Sequence, residues 1–230
     1  MIALSGIASD WRGFSDNSGP SVIRARSPAS VPTHPADAAL VRTSDEIETA
    51  LTAGFTNAVL LHADADAIER SRWFARSVRL PTQFHYLSDG DILGLRPKER
   101  RFRTLYRRGS LHNSFLVTER CNHYCLMCSQ PPKDIDDRWI LKEIKTALPL
   151  VHPETASFAF TGGEPLLDWR DFVGVVDDCR NLLPNTSVHV LSNGRAFANT
   201  DVVNAWADIR HPSLSVGIPI YSIIVLDAVG

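Results

Sequence analysis

Apolar positions follow a regular rhythm in the second half of this chain. Residues 114–118 form a β-prone run, and Trp139, Ile140, Leu141, Ile144 and Leu148 then recur at helical spacing. The cycle repeats with a strand over 156–160 and a helix face of Trp169, Phe172, Val173, Val176, Cys179 and Leu183. A strand over 187–191, a short helix marked by Val202, Val203 and Trp206, and a fourth strand over 214–221 complete the series. Such alternation predicts a parallel sheet covered by helices. Right-handed crossovers then bring the loop after every strand to one rim.

The first half is less regular. Residues 1–40 are rich in Ser, Pro, Ala and Asp, show no steady period, and are expected to be a flexible lead-in. Thr43-Ser44-Asp45-Glu46 has capping-box spacing before Ile47 and Leu51. Residues 58–61 read as a strand and 66–78 as a helix, with Asp66 as N-cap and Ile68, Trp73, Phe74 and Val78 on its apolar side. Residues 81–106 read as short extended pieces broken by a turn at 88–91. The expected organisation is a lead-in over 1–40, a small α+β module over 41–110, an α/β unit over 111–221 and an atypical apolar tail over 222–230.

Composition narrows the class. The chain has 230 residues, 44% hydrophobic and 22% charged, which fits a soluble globular protein and excludes a fibre or a wholly disordered chain. The net charge of −2 gives no electrostatic reason to expect a nucleic-acid partner. A local basic cluster, Arg96, Lys98, Arg100, Arg101, Arg103, Arg107 and Arg108, reads either as a solvated face or as a patch for a peptide, a phosphate or RNA. The uncharged stretch 212–226 is too short to span a bilayer and contains Pro219. Residues 1–8 lack the basic start and cleavage site of a signal peptide, so no membrane association and a cytoplasmic location are expected.

Four cysteines are too few for a disulfide scaffold, but Cys121, Cys125 and Cys128 crowd into eight residues. This CxxxCxxC element follows the first strand of the regular half. Three thiolates on one tight loop can hold three corners of a cubane iron–sulfur cluster and leave the fourth iron open to a small chelator. The same set can also form a zinc site completed by His123 or a distant residue. Thr161-Gly162-Gly163-Glu164-Pro165 follows the second strand and Ser192-Asn193-Gly194 the third. Either can be an ordinary strand-to-helix turn. The lone Cys179 lies on an apolar helix face and reads as a buried structural thiol.

CxxxCxxC after a first strand, with Gly-Gly-Glu-Pro after the second, resembles the radical S-adenosylmethionine superfamily over residues 114–221. The resemblance implies an incomplete partial (β/α) barrel of about four βα units, preceded by the α+β module. It implies a [4Fe-4S] cluster on Cys121, Cys125 and Cys128. It also implies S-adenosylmethionine held at its amino group by Gly162, Gly163 and Glu164, with Ser192 and Asn193 facing its ribose or carboxylate and Met127 near its adenine. The family usually has an aromatic residue where this chain has Met127. Leu105-Tyr106-Arg107, His112-Asn113-Ser114 and Ser129-Gln130-Pro131-Pro132-Lys133 look more narrowly like the His-Xaa-Ser system maturases. The Asp89-Gly90-Asp91 turn fits their leading module. That resemblance implies a peptide or small-protein substrate, a second radical maturase as partner, and an electron donor.

The family usually builds more βα units, and the tail after residue 221 breaks the rhythm in the manner of a truncated end. An unpaired apolar edge and an unfinished adenine pocket are therefore expected, with cluster binding more secure than turnover. The alternative expectation is a non-catalytic iron–sulfur or zinc-binding remnant of such an enzyme.

Overall fold

A computed structural model describes residues 4–14 and 21–220. Parts of the expected lead-in, the end of the predicted fourth strand and the whole tail over 222–230 lie outside the described residues. The chain divides into two compact units, residues 1–110 with 149–152, and residues 111–148 with 153–230.

The first unit is built on eight strands: β1 (Ser5–Ile7), β2 (Asp10–Arg12), β3 (Ser21–Arg26), β4 (Asp37–Val41), β5 (Asn57–Leu61), β6 (Arg76–Leu80), β7 (Ile92–Arg96) and β8 (Arg101–Tyr106). They lie in the order β1-β8-β7-β3-β4-β5-β6-β2. Strands β3 to β6 run parallel, while β7, β8, β1 and β2 pair antiparallel with their neighbours. Two helices, α1 (Ser44–Thr52) and α2 (Ala65–Arg70), make the crossovers from β4 to β5 and from β5 to β6.

Both faces of the central strands are apolar because both are covered. Ala38, Leu40, Val59 and Leu61 join Phe84, Leu87, Leu93, Leu95 and Phe102 in one core. The alternate residues Ala39, Val41, Ala58 and Leu60 meet Ile47, Ala50, Ala67 and Phe74 in another. The capping box at α1 forms as its spacing predicts, Thr43 accepting from the Glu46 N–H and Glu46 from the Thr43 N–H.

The expected flexible lead-in is corrected. Residues 5–12 run along β8 at one edge of the sheet and along β6 at the other. The Ala8 N–H donates to the Arg100 carbonyl at 3.0 Å and the Ser9 N–H to the Arg79 carbonyl at 3.0 Å, so the bonding is continuous across the bend. The sheet therefore closes on itself through this one stretch. Strands β3 and β4 also come from the supposed lead-in, and Ile23, Ala25 and Ala38 are core residues. Their apolar runs are short and broken by polar residues that pair inside the unit, such as Arg24 with Asp37.

The predicted helix over 66–78 is also corrected. Asp64, not Asp66, caps α2 by accepting from the Ala67 N–H at 2.7 Å. The helix ends early, in a 3-10 turn over Ser71–Trp73 where the Ser71 hydroxyl bonds back to the Ile68 carbonyl. Phe74 turns into the core, and Val78 belongs to β6 opposite Val59. The helical spacing of Val78 was coincidental.

The second unit carries β9 (Ser114–Thr118), α3 (Trp139–Ala147), β10 (Ser157–Gly162), α4 (Trp169–Leu182), β11 (Ser187–Leu191), α5 (Thr200–Asp208) and β12 (Leu214–Gly217). The four strands are parallel and lie in chain order. Phe115, Phe158, Phe160 and Phe172 stack edge-on at centroid distances of 5.3–5.4 Å, fixing β9 and β10 beneath α4.

The mixed α/β class with a parallel sheet is thus present, but the sheet is open among the described residues. Strands β9 and β12 are its edges. Among the described residues the helices cover one face of it. Along β11, Val188 and Val190 are buried while His189 and Leu191 are exposed. The open face carries His189 hydrogen-bonded to Ser215 at 2.7 Å and Ser187 to Ser213 at 2.9 Å. No helix among the described residues is long and apolar enough to cross a membrane.

Candidate functional site

The loops at the carboxyl ends of β9, β10, β11 and β12 line one cleft of about 560 Å³. Cys121, Cys125, Cys128 and Met127 enter it from the first loop, Gly162 and Gly163 from the second, and Ser192 and Asn193 from the third. Gly217, Ile218 and Pro219 complete it from the fourth, a contribution that no motif in the sequence announced.

The cysteine loop is built outward from a closed base. The Lys133 N–H donates to the Glu119 carbonyl at 3.0 Å, and the two side chains form an ion pair across the same closure. Asp137 sits beneath, 1% exposed, and accepts from the Thr118 hydroxyl at 2.9 Å, the Glu119 N–H at 2.6 Å and Arg120 at 2.8 Å. Arg120 bridges onward to Asp168. Burial works to raise the Asp137 carboxyl, but the hydrogen bonds from Glu119, Arg120 and Thr118 outweigh it and hold the group below the ordinary aspartate range. Nothing in the sequence signalled this network, since an acid just before a helix is commonplace.

Within the loop the Cys128 N–H donates to the Cys125 carbonyl at 3.1 Å, and the Cys128 thiol to the Gln130 carbonyl at 3.0 Å. All three thiols are free, with Cys128 exposed and Cys121 and Cys125 half-buried. Cys179 stands apart, buried in α4, where burial pushes its thiol up to about 12 and leaves it unreactive near neutrality.

Gly162 and Gly163 are glycines for a steric reason. Gly162 has φ +132°, and a Cβ there would lie 2.3 Å from the Thr118 carbonyl oxygen. At Gly163 a Cβ would lie 2.0 Å from the carbonyl oxygen of Arg120. The Gly163 and Glu164 N–H groups instead bond to the Thr118 and Arg120 carbonyls at 2.8 and 2.9 Å. The second loop is thereby sewn to the root of the first.

Glu164 lies beneath the cleft. It is 1% exposed and is not part of the cleft lining. Its carboxylate accepts from the Leu166 N–H at 3.0 Å, the Ser192 hydroxyl at 2.8 Å and the Asn193 N–H at 2.7 Å. It ties the β10 end to the β11 end and leaves the cleft face to the backbone of the two glycines. The basic cluster of the first unit is also largely committed within its own fold. Arg96 pairs with Glu99, Arg108 with Asp89, and Arg100 donates to the Ser9 carbonyl.

A [4Fe-4S] cluster would have to be held by the three loop cysteines. Among the described residues no group of three or more His, Cys, Asp or Glu side chains is arranged to hold a single metal ion. A cubane cluster does not require that arrangement, because each thiolate binds a different iron and the sulfurs stand farther apart than the ligands of one ion. Three free, soft thiol donors facing one cleft fit such a group on donor chemistry. His123, the candidate fourth zinc ligand, has its Nδ1 engaged by Arg195 at 3.2 Å. Comparison of the chain with family models, with curated proteins and with solved structures yields no match.

Proposed function

We propose that this protein is an iron–sulfur radical S-adenosylmethionine enzyme that modifies a peptide or small protein. The observation that carries the proposal is the shared cleft. The three thiols of CxxxCxxC and the backbone of Gly162 and Gly163 line one cavity at the carboxyl edge of a parallel sheet, the edge at which open α/β sheets bind ligands. Held by Cys121, Cys125 and Cys128, a reduced cluster would supply the one electron needed to cleave S-adenosylmethionine to methionine and a 5′-deoxyadenosyl radical able to take a hydrogen atom from substrate.

The protein's own part is to hold and to shield. A methionine amino group is cationic and needs acceptors, and two side-chain-free residues let backbone carbonyls come close. The thioether of Met127 offers a polarisable surface to an aromatic base. The finer reading of the sheet is the first part of a partial (β/α) barrel. The exposed polar face with His189 and Ser215 supports it, since a parallel sheet ordinarily covers both faces. An enzyme of this kind needs a low-potential electron donor. By resemblance its substrate is a small protein with His-Xaa-Ser repeats, and a second radical maturase acts beside it.

The test is anaerobic reconstitution with iron and sulfide, followed by low-temperature EPR of the reduced protein with and without S-adenosylmethionine. The expected result is a cluster signal that changes when S-adenosylmethionine is added. Cys125→Ala is expected to lose most of the broad visible thiolate-to-iron absorbance. Stoichiometric zinc with no cluster, or full absorbance in Cys125→Ala, would overturn the proposal.

A further inference from the structure

Asn193 is oriented from both ends. Its Oδ1 accepts from the Arg195 N–H at 3.0 Å, which leaves the amide nitrogen to point the other way. That nitrogen donates to Asn122 Oδ1 at 2.8 Å and lies 3.9 Å from the sulfur of Cys121. Its backbone is fixed in turn by buried Glu164, which accepts from the Asn193 N–H and from the neighbouring Ser192 hydroxyl. The Ser192 hydroxyl also accepts from the Gly194 N–H at 3.0 Å, and Gly194 turns the chain with φ +78°. A rigid series thus runs from the end of β10, through the end of β11, to the first cysteine of the loop.

We propose that Asn193, held by Glu164, is a positioning residue whose side-chain amide donates to the Cys121 sulfur and raises the reduction potential of a cluster bound there. This rests on the cluster assignment above and departs from the expected contact of Asn193 with ribose or carboxylate. The physical cause is charge. Adding one electron from an external low-potential donor makes the cluster and its thiolates more negative, and an N–H directed at a ligand sulfur stabilises that state more than the oxidised one. Partners of this kind also orient the ligand, here through Asn122, the residue next to Cys121.

Asn193→Asp discriminates between tuning and mere support. The side chain keeps its shape and the acceptor for the Arg195 N–H, but it sets a negatively charged oxygen in place of the donor. Asn193→Ala removes the group altogether and serves if the aspartate variant does not fold. The full chain, wild type and both variants, is reconstituted anaerobically, its iron and sulfide are assayed, and the midpoint potential is followed by EPR during a dye-mediated redox titration. The expected result is comparable loading, a more negative potential in Asn193→Ala, and a larger negative shift in Asn193→Asp. Comparable loading with unchanged potentials overturns the inference and leaves the cluster assignment standing. Loss of the cluster from both variants, with circular dichroism retained, also overturns it, because Asn193 would then only hold the loop. Failure of the wild type itself to take up iron and sulfide overturns the cluster assignment, and this inference with it.

Discussion

Asp137→Ala is expected to release the cysteine loop at its base while leaving the first unit folded. The side chain is 1% exposed and is the common acceptor for the Thr118 hydroxyl, the Glu119 N–H and Arg120. Removing it leaves a part-buried N–H and a buried hydroxyl without their partner and strips Arg120 of one of its two carboxylates. Unmaking such a network costs about 3 kcal/mol. The expected readouts are a lower melting temperature and rapid proteolytic cleavage within residues 119–133. An unchanged melting curve with a protected loop would show that Lys133 and Glu119 close it alone.

The same carboxyl gives the wild type a pH signature. Its folded-state value lies below its unfolded one, so its contribution is fully present above the unfolded value, about 4. That contribution is lost as the pH falls through the folded value. Wild-type melting temperature should therefore fall on acidification below about pH 4, and Asp137→Ala should show a flatter dependence in the same window. Equal slopes would remove Asp137 from the account of acid lability.

Gly163→Ala is expected to be strongly destabilising in the second unit. The added Cβ would stand 2.0 Å from the Arg120 carbonyl oxygen, a backbone atom that cannot swing aside. Relief requires breaking the bonds from the Gly163 and Glu164 N–H groups to Thr118 and Arg120. The cost is about 3 kcal/mol by the usual scale of overpacking and lost hydrogen bonds. Gly174→Ala is the matching control. It lies within α4 with nothing inside 4 Å of a built Cβ, and alanine there should stabilise by about 0.5–1 kcal/mol. Urea titration of both variants reads the contrast. Equal stability in the two would mean that the tight passage at Gly163 relaxes at no cost.

These two sites differ in how far the sequence showed them. Strands β9 and β11 have the bounds their apolar runs predict, and the loops that follow them meet in one cleft, because local period and chain-order pairing agree there. The same agreement fails over 66–78, where pairing with β5 outweighs helical spacing, and over 1–40, where short strands depend on partners far along the chain. Glu164 was legible as a residue but not in its hydrogen-bond partners. A motif gives its place beside two glycines, while only the fold brings Ser192 and Asn193 to its oxygens. Asp137 was invisible because its three partners lie 17 to 19 residues upstream.

The closure of the first sheet has a consequence for the order of its making. The stretch Ser5–Arg12 is synthesised before the rest of its sheet, yet its two neighbours, β6 and β8, end at Leu80 and Tyr106. Until residue 106 has left the ribosome, the growing sheet has at least one bare edge and the early strand has no complete seat. Such late, non-local pairing is slow to form and exposes β-edges meanwhile. The cysteine loop, beginning only fifteen residues after β8, emerges as that ring is closing.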